Sequence, residues 1–202
     1  MTNEFVLVRH ATCERMDEML LGRTVDAPLD APGMQQAVAM ARALNGGASR
    51  EFLIVASPRR RAQQTAAAIA AIADAEIVTS HEFDEVDFGE WSGRTFLELA
   101  DDPGWRHWNE QRSSARTPAG ESIAAIQQRV LRHLRQLQDE YPGRPIVIVT
   151  HAEVIRAVVL HWLQASVDGY HRLVISPASW TRVSIGDWGV RIDGINQQAL
   201  ST

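Results

Sequence analysis

The sequence predicts an α/β fold, one three-layer domain with a mainly parallel central sheet flanked by helices, and three observations carry that expectation. Three short runs of aliphatic and aromatic residues, 5–8, 52–56 and 146–149, have the length and composition of strands buried on both faces. Helical patterns stand between and after them. Each run also ends abruptly in polar residues carrying arginine or histidine, as strand ends do where a parallel sheet opens onto a ligand site.

Taken in order, the first run stops at Arg9-His10. Residues 31–44 are alanine-rich and run into Asn45-Gly46-Gly47, a C-terminal cap signal. The second run ends in Ser57-Pro58, an N-cap and first-turn pair for a helix reaching about Ala73, with Arg59, Arg60 and Arg61 next in line. Ile123, Ile126, Val130, Leu134 and Leu137 recur at helical spacing ahead of Pro142-Gly143. The third run ends in Thr150-His151, and residues 154–163 read as a mostly apolar helix. From Arg172 onward the pattern alternates like strands, at 180–185 and 190–192. Residues from about 94 to 120 are the least regular. They are expected to form an irregular insertion over the sheet, inside a single domain spanning 1–202.

A chain of 202 residues can build one sizeable core. Its net charge of −5 offers no bulk attraction to nucleic acid or to an anionic membrane, so neither is expected as a partner. Any anion it binds must be held by a local basic cluster. One cysteine, Cys13, excludes an intramolecular disulfide framework and fits a cytoplasmic protein. The N-terminal residues lack a signal-peptide pattern, and the longest apolar runs fall far short of a membrane span.

If the three strands are parallel neighbours, Arg9, His10, the arginines after Ser57 and His151 converge on one rim. Two histidines with at least two arginines make a pocket for a dianion, because the planar guanidinium fork matches phosphate oxygens in pairs. A helix opening at Ser57-Pro58 would turn its positive end toward the same place. Taken singly, a histidine after a strand is structural and an arginine on a first helical turn is solvated. The coincidence of three strand ends is what carries the site.

These residues resemble the histidine phosphatase superfamily, which includes the cofactor-dependent phosphoglycerate mutases. Val8-Arg9-His10-Ala11-Thr12 is similar to its Arg-His-Gly signature, and the likeness continues through Gly22-Arg23, Asp26, Pro28-Leu29, Gly33 and Gln36-Ala37. Ser57 to Ala66 resembles the second block, with Arg61 in the arginine position. Residues 85–93 resemble the block carrying the catalytic acid, at Glu85. Pro118-Ala119-Gly120-Glu121-Ser122 and Val149-Thr150-His151-Ala152 complete five blocks in the family's order. Ala11 and Ala152 replace glycines, Cys13 replaces a threonine, and Met16 stands where many members have a phosphate-binding asparagine. Methionine cannot donate that hydrogen bond.

The resemblance implies a phosphoglycerate mutase-like fold and a phosphomonoesterase acting through a phosphohistidine. In that reading His10 is the nucleophile, Arg9, Arg61 and protonated His151 stabilise the phosphoryl oxygens, and Glu85 is the acid and base. Spacing alone leaves Asp84 and Asp87 open as the acid; the family motif selects Glu85. A raised Glu85 pKa is expected, from partial burial beside Phe88 or Trp91. Substrate contacts are expected from Arg9, Arg61, His151, Ala152 and Arg23, while Arg59 and Arg60 read mainly as surface charges. Trp105 and Trp108, with Arg112 and Arg116, either shape the substrate site or simply pack the insertion onto the body. Cys13 reads as a filler rather than a reactive thiol. His81, His107, His133, His161 and His171 lack ligand spacing, so no metal and no cofactor is implied.

The expected partner is a small-molecule phosphomonoester; oligomeric state stays open, with a homodimer among the options. Two other functions remain: phosphoglycerate mutase-type transfer, and a catalytically weak phosphate-binding module suggested by Ala11, Cys13 and Met16. The stretch from Glu85 to His151 is shorter than in the glycolytic mutases the chain resembles, and that favours hydrolysis.

Overall fold

The structure, a computed structural model, describes residues 2–46 and 52–199. Within them β1 (Asn3–Arg9), β2 (Leu53–Ala56), β3 (Ile77–Thr79), β4 (Ile146–Thr150), β5 (Trp180–Gly186) and β6 (Gly189–Gln197) form one sheet, in the order β3-β2-β4-β1-β5-β6. The first four in that order are parallel, and β5 and β6 close the sheet antiparallel. The helices are α1 (Ala31–Asn45), α2 (Arg60–Ala73), α3 (Phe96–Ala100), α4 (Pro103–Glu110), α5 (Ile123–Glu140) and α6 (Ala152–Trp162).

Alternation along the central strands explains the three layers. Phe5, Leu7, Leu53, Val55, Ile146 and Ile148 face one side and pack with the buried stripes of α5 and α6. Val6, Val8, Ile54, Ala56, Val147 and Val149 face the other side and pack with α1 and α2. Both faces are covered, so the central stretches of these strands are apolar at successive positions rather than at alternate ones.

Four local expectations need correction. The second helix opens at Arg60, not at Ser57-Pro58. Ser57 still belongs to the sheet, its N–H donating to Val149 O at 2.9 Å, and Arg59 stays extended while its guanidinium is held elsewhere. The insertion is not irregular, since it contains α3, with a Thr95–Glu98 capping box, and α4, capped by Asp102. These helices are too short for apolar periodicity to show. Strand β3 was not legible because it is a three-residue edge strand, largely exposed. Strand β6 is longer than its apolar stretch because β5 supplies hydrogen bonds along its length. The cap at Gly46 is present in the left-handed conformation (φ 50°); Gly47 lies outside the described residues.

Trp108 is fully buried, meeting Phe88 and Trp91 edge to face, and it packs α4 onto the core below α5. Trp108→Ala is expected to cost about 3–5 kcal/mol of folding stability, read as a lowered denaturant midpoint.

Candidate active site

β4 lies between β2 and β1, so the three basic strand ends are neighbours. His10 extends the ladder, its N–H donating to Thr150 O at 3.0 Å. The loop that follows is held by residues of the resembling motif: Ala11 N–H donates to Thr65 Oγ1, Thr12 N–H to Gln36 Oε1, and Leu29 N–H to Gln64 Oε1. Gly33 must be glycine because a Cβ there would stand 1.9 Å from Thr12 O.

His10 is buried. Its Nδ1 lies 2.7 Å from Ala11 O, so the proton sits on Nδ1 and the Nε2 lone pair is left for chemistry. Arg61 Nε donates to that lone pair at a long 3.3 Å. Burial first, then the charges of Arg61 and Arg9, hold the imidazole pKa well below its ordinary value. Neutral His10 is the form a nucleophile requires.

Arg61 is 1% exposed and donates from Nη2 to Gly22 O at 3.0 Å, while its buried Nη1 has no partner. Arg9 donates to Ile175 O at 2.6 Å and, more weakly, to Met16 Sδ at 3.5 Å. Met16 therefore accepts from the arginine beside it and lines the cavity. Cys13 is buried and its thiol is pushed up to about 11, mainly by burial, which makes it inert at neutral pH.

His151 lies edge-on to His10 with ring centroids 5.2 Å apart. Its Nε2 meets Ser57 Oγ at 2.8 Å, and its buried Nδ1 has no hydrogen-bond partner, with Glu85 Oε2 3.5 Å away. Burial, followed by Arg61, His10, Arg129 and Arg59, holds its pKa well below the imidazole range.

Glu85 is 13% exposed and its carboxyl pKa is raised to about 7, mainly by burial, against the lowering effect of Arg61. Of the three neighbouring carboxylates only Glu85 lines the cavity; Phe88 lines it too, whereas Trp91 does not. Asp84 is held by Arg59 Nε at 3.0 Å, by Ser57 Oγ at 3.3 Å and by the Glu85 N–H at 2.8 Å. Asp87 is a partly exposed loop residue capping Gly89 N.

Sequence reasoning missed the frame behind Glu85. Arg23 donates to Glu85 O at 2.7 Å and to Glu121 Oε2 at 2.8 Å. Arg129 donates to Asp84 O at 2.7 Å and pairs with Glu121 Oε1 at 3.1 Å. Arg23 does not line the cavity, which corrects its assignment to substrate contact. Arg59 is likewise not a surface charge but part of this brace, donating also to Arg23 O. The frame joins residues far apart in the chain, so no local pattern could have shown it. The one usable signal was Glu121, inside a quoted motif without a role.

The cavity measures about 360 Å³. Arg9, His10, Arg61 and Glu85 form its floor, with Ala152 at the start of α6. Met16, Met19, Leu20, Leu21, Phe88, Phe96 and Trp105 make an apolar wall. Asn109, Arg112, Glu153, Arg156 and Tyr170 make a polar one. Trp105 thus reaches the cavity, while Trp108 stays in the core and Arg116 does not line it; Trp108 is not a substrate contact. Among the described residues no group of three or more His, Cys, Asp or Glu could hold a metal ion.

A parallel α/β sheet whose strand ends bring His10, two arginines and a high-pKa carboxyl to one small cavity, with His151 buried directly behind His10, fits a phosphate-handling enzyme. Residues 5–198 match the histidine phosphatase superfamily (branch 1), and the chain belongs to that superfamily. It is 31% identical to the glucosyl-3-phosphoglycerate phosphatase of Mycobacterium tuberculosis, over 91% of this chain and 85% of that one. It is 30% identical to phosphoserine phosphatase 1 of Hydrogenobacter thermophilus, over 77% of this chain and 74% of that one. A solved mycobacterial glucosyl-3-phosphoglycerate phosphatase superposes with a TM-score of 0.85 at 28% identity, covering 98% and 100% of the two chains. The protein is accordingly a phosphoric monoester hydrolase with a phosphoglycerate mutase-like fold.

Proposed function

We propose that this chain hydrolyses a small phosphorylated metabolite in two steps at His10, with Glu85 moving the protons. The observation that carries the reading is the pairing of two states: a neutral His10 with Nε2 unprotonated, beside a carboxyl whose pKa is about 7. In the first step Nε2 attacks phosphorus, the ester P–O bond breaks, and the leaving oxygen takes the proton of Glu85. In the second, water attacks phosphorus, its proton goes to the Glu85 carboxylate, and the P–N bond breaks to release inorganic phosphate.

Arg9 and Arg61 stabilise the phosphoryl oxygens throughout, and the unpartnered Nη1 of Arg61 gives them a donor already in place. A bound dianion supplies the opposite charge that His151 lacks, so its pKa rises and its unpartnered Nδ1 becomes a third donor. Ser57 is the positioning residue for this, since its oxygen holds the proton of His151 on Nε2. Ser57→Ala is expected to lower kcat/KM about 3–10-fold, the worth of one hydrogen bond, and to alter the pH profile. Unchanged kinetics would show that His151 needs no such holder.

Incubation with a ³²P-labelled ester, a rapid acid quench avoided in favour of alkali, tests the whole reading. Alkali-stable, acid-labile label on His10, with phosphate released, supports it. Label passed to a second hydroxyl with little free phosphate would favour a mutase, and no label with any ester would favour a binding module. Among the described residues no helix is long and apolar enough to cross a membrane. The single cysteine keeps the cytoplasm as the place of action we propose.

A further inference from the structure

Met16 stands where its sulfur is open to a small reagent and where a reaction there would be felt. It is half-buried, lines the cavity and has Sδ 3.5 Å from Arg9 Nη2. Arg9 is otherwise held from Nη1 by Ile175 O at 2.6 Å, and its buried Nε has no partner. A thioether is a weak acceptor, so Nη2 stays free to turn to a phosphoryl oxygen. The other methionines among the described residues differ. Met40 is wholly buried, Met19 shares the cavity wall but is packed into the core, and Met34 is exposed on α1 and does not line the cavity. Cys13 is the other oxidisable sulfur in this loop. It is buried with its thiol pushed up to about 11, so little thiolate is present to meet an oxidant.

We propose that Met16 is an oxidation site: a peroxide converts its thioether to a sulfoxide, and the new oxygen takes the Arg9 donor that the phosphoryl group needs. The proposal rests on the phosphatase reading of this cavity. In the forward step a sulfur lone pair takes one oxygen of hydrogen peroxide. The O–O bond breaks, the S–O bond forms and water leaves, so sulfur is oxidised by two electrons and the peroxide reduced by two. In the reverse step a dithiol reductant removes the oxygen as water and becomes a disulfide. Oxidation turns an apolar, weakly accepting side chain into a polar one. Of the donors in the cavity, Arg9 Nη2 is already in contact with the sulfur. A charge-assisted hydrogen bond then forms inside the protein before substrate arrives, and a phosphoryl oxygen must displace it.

The protein is treated with hydrogen peroxide, and sulfoxide at each methionine is followed by peptide mass spectrometry alongside phosphate release. Met16 and Met34 are both expected to oxidise. The value of kcat/KM should fall at least about 10-fold in step with Met16 alone, the strength of a charge-assisted hydrogen bond. A methionine sulfoxide reductase supplied with a dithiol should restore it. Saturating inorganic phosphate should slow oxidation at Met16 and leave Met34 unaffected. Met16→Leu, compared with its own untreated activity, should keep most of that activity after peroxide. Equal proportional loss in the Leu variant, full activity with Met16 oxidised, or Met16 left reduced while Met34 oxidises would each overturn the proposal. The mass measurement on the unaltered protein decides the matter even if the variant fails to fold. If no ester is hydrolysed before treatment, the phosphatase reading fails instead. Affinity for inorganic phosphate before and after peroxide then judges Met16: a fall of about 10-fold upholds the site and no change overturns it.

Discussion

His10→Ala is expected to lower phosphate release from every phosphomonoester by at least about 10³-fold, the usual scale for removing a covalent nucleophile. The loss should fall on kcat rather than on binding. Arg9 and Arg61 remain to hold the phosphoryl group, and removing the ring takes away the acceptor that engages Arg61 Nε. Stability should rise or stay level, because a buried imidazole flanked by two guanidiniums is placed for chemistry and not for folding. The check is phosphate release against substrate concentration, with the labelled-enzyme experiment alongside. Release within about 10-fold of the unaltered enzyme would remove His10 as nucleophile.

Glu85→Gln is expected to lower kcat/KM for alkyl phosphates by about 10²–10⁴-fold, the contribution of a placed general acid. An ester of p-nitrophenol, whose leaving group needs no proton, should lose much less in the transfer step. The pH dependence follows from a carboxyl pKa of about 7. Transfer to His10 needs protonated Glu85, so kcat/KM for an alkyl ester should fall as pH rises through about 7, and the Gln variant should lack that limb. Stability shifts in a defined direction as well. The folded carboxyl holds its proton up to about 7 and the unfolded one only to its ordinary value of 4.5, so the folded state loses stability as pH rises through that window. Glu85→Gln should therefore raise the melting temperature by a few degrees at pH 8 and leave it unchanged below about pH 4. A melting temperature that is unaltered at both pH values would mean that the carboxyl is not held protonated by burial.

His10, His151 and Arg61 were legible because each stands one to five residues beyond a strand that is apolar on both faces. A parallel sheet makes that position converge whatever the loops do. Arg23 and Arg59 show the opposite case. Both are arginines in motif blocks near the phosphate site, yet they turn away from the cavity to hold the Glu85 loop through Asp84, Glu121 and backbone carbonyls. A guanidinium takes carboxylate, carbonyl or phosphate oxygens alike, so residue type could not say which it had chosen.

The insertion divides in the same way. Trp105 and Trp108 are three positions apart on α4, close to one helical turn, and one reaches the cavity while the other is wholly buried. The helix pitch allowed either arrangement, and the packing of α4 against Phe88 and Trp91 selected one. What the sequence determined by itself was the α/β class, the order of strands and helices other than β3, α3 and α4, and the basic strand ends, because these follow from hydrophobic period and local chemistry. What only the tertiary structure decided was the burial of His151 behind His10, the frame behind Glu85 and the Arg112–Glu153–Arg156 wall. Each of those depends on burial and on charges brought together from distant segments, and electrostatic energy is set by spatial distance and dielectric rather than by separation along the chain.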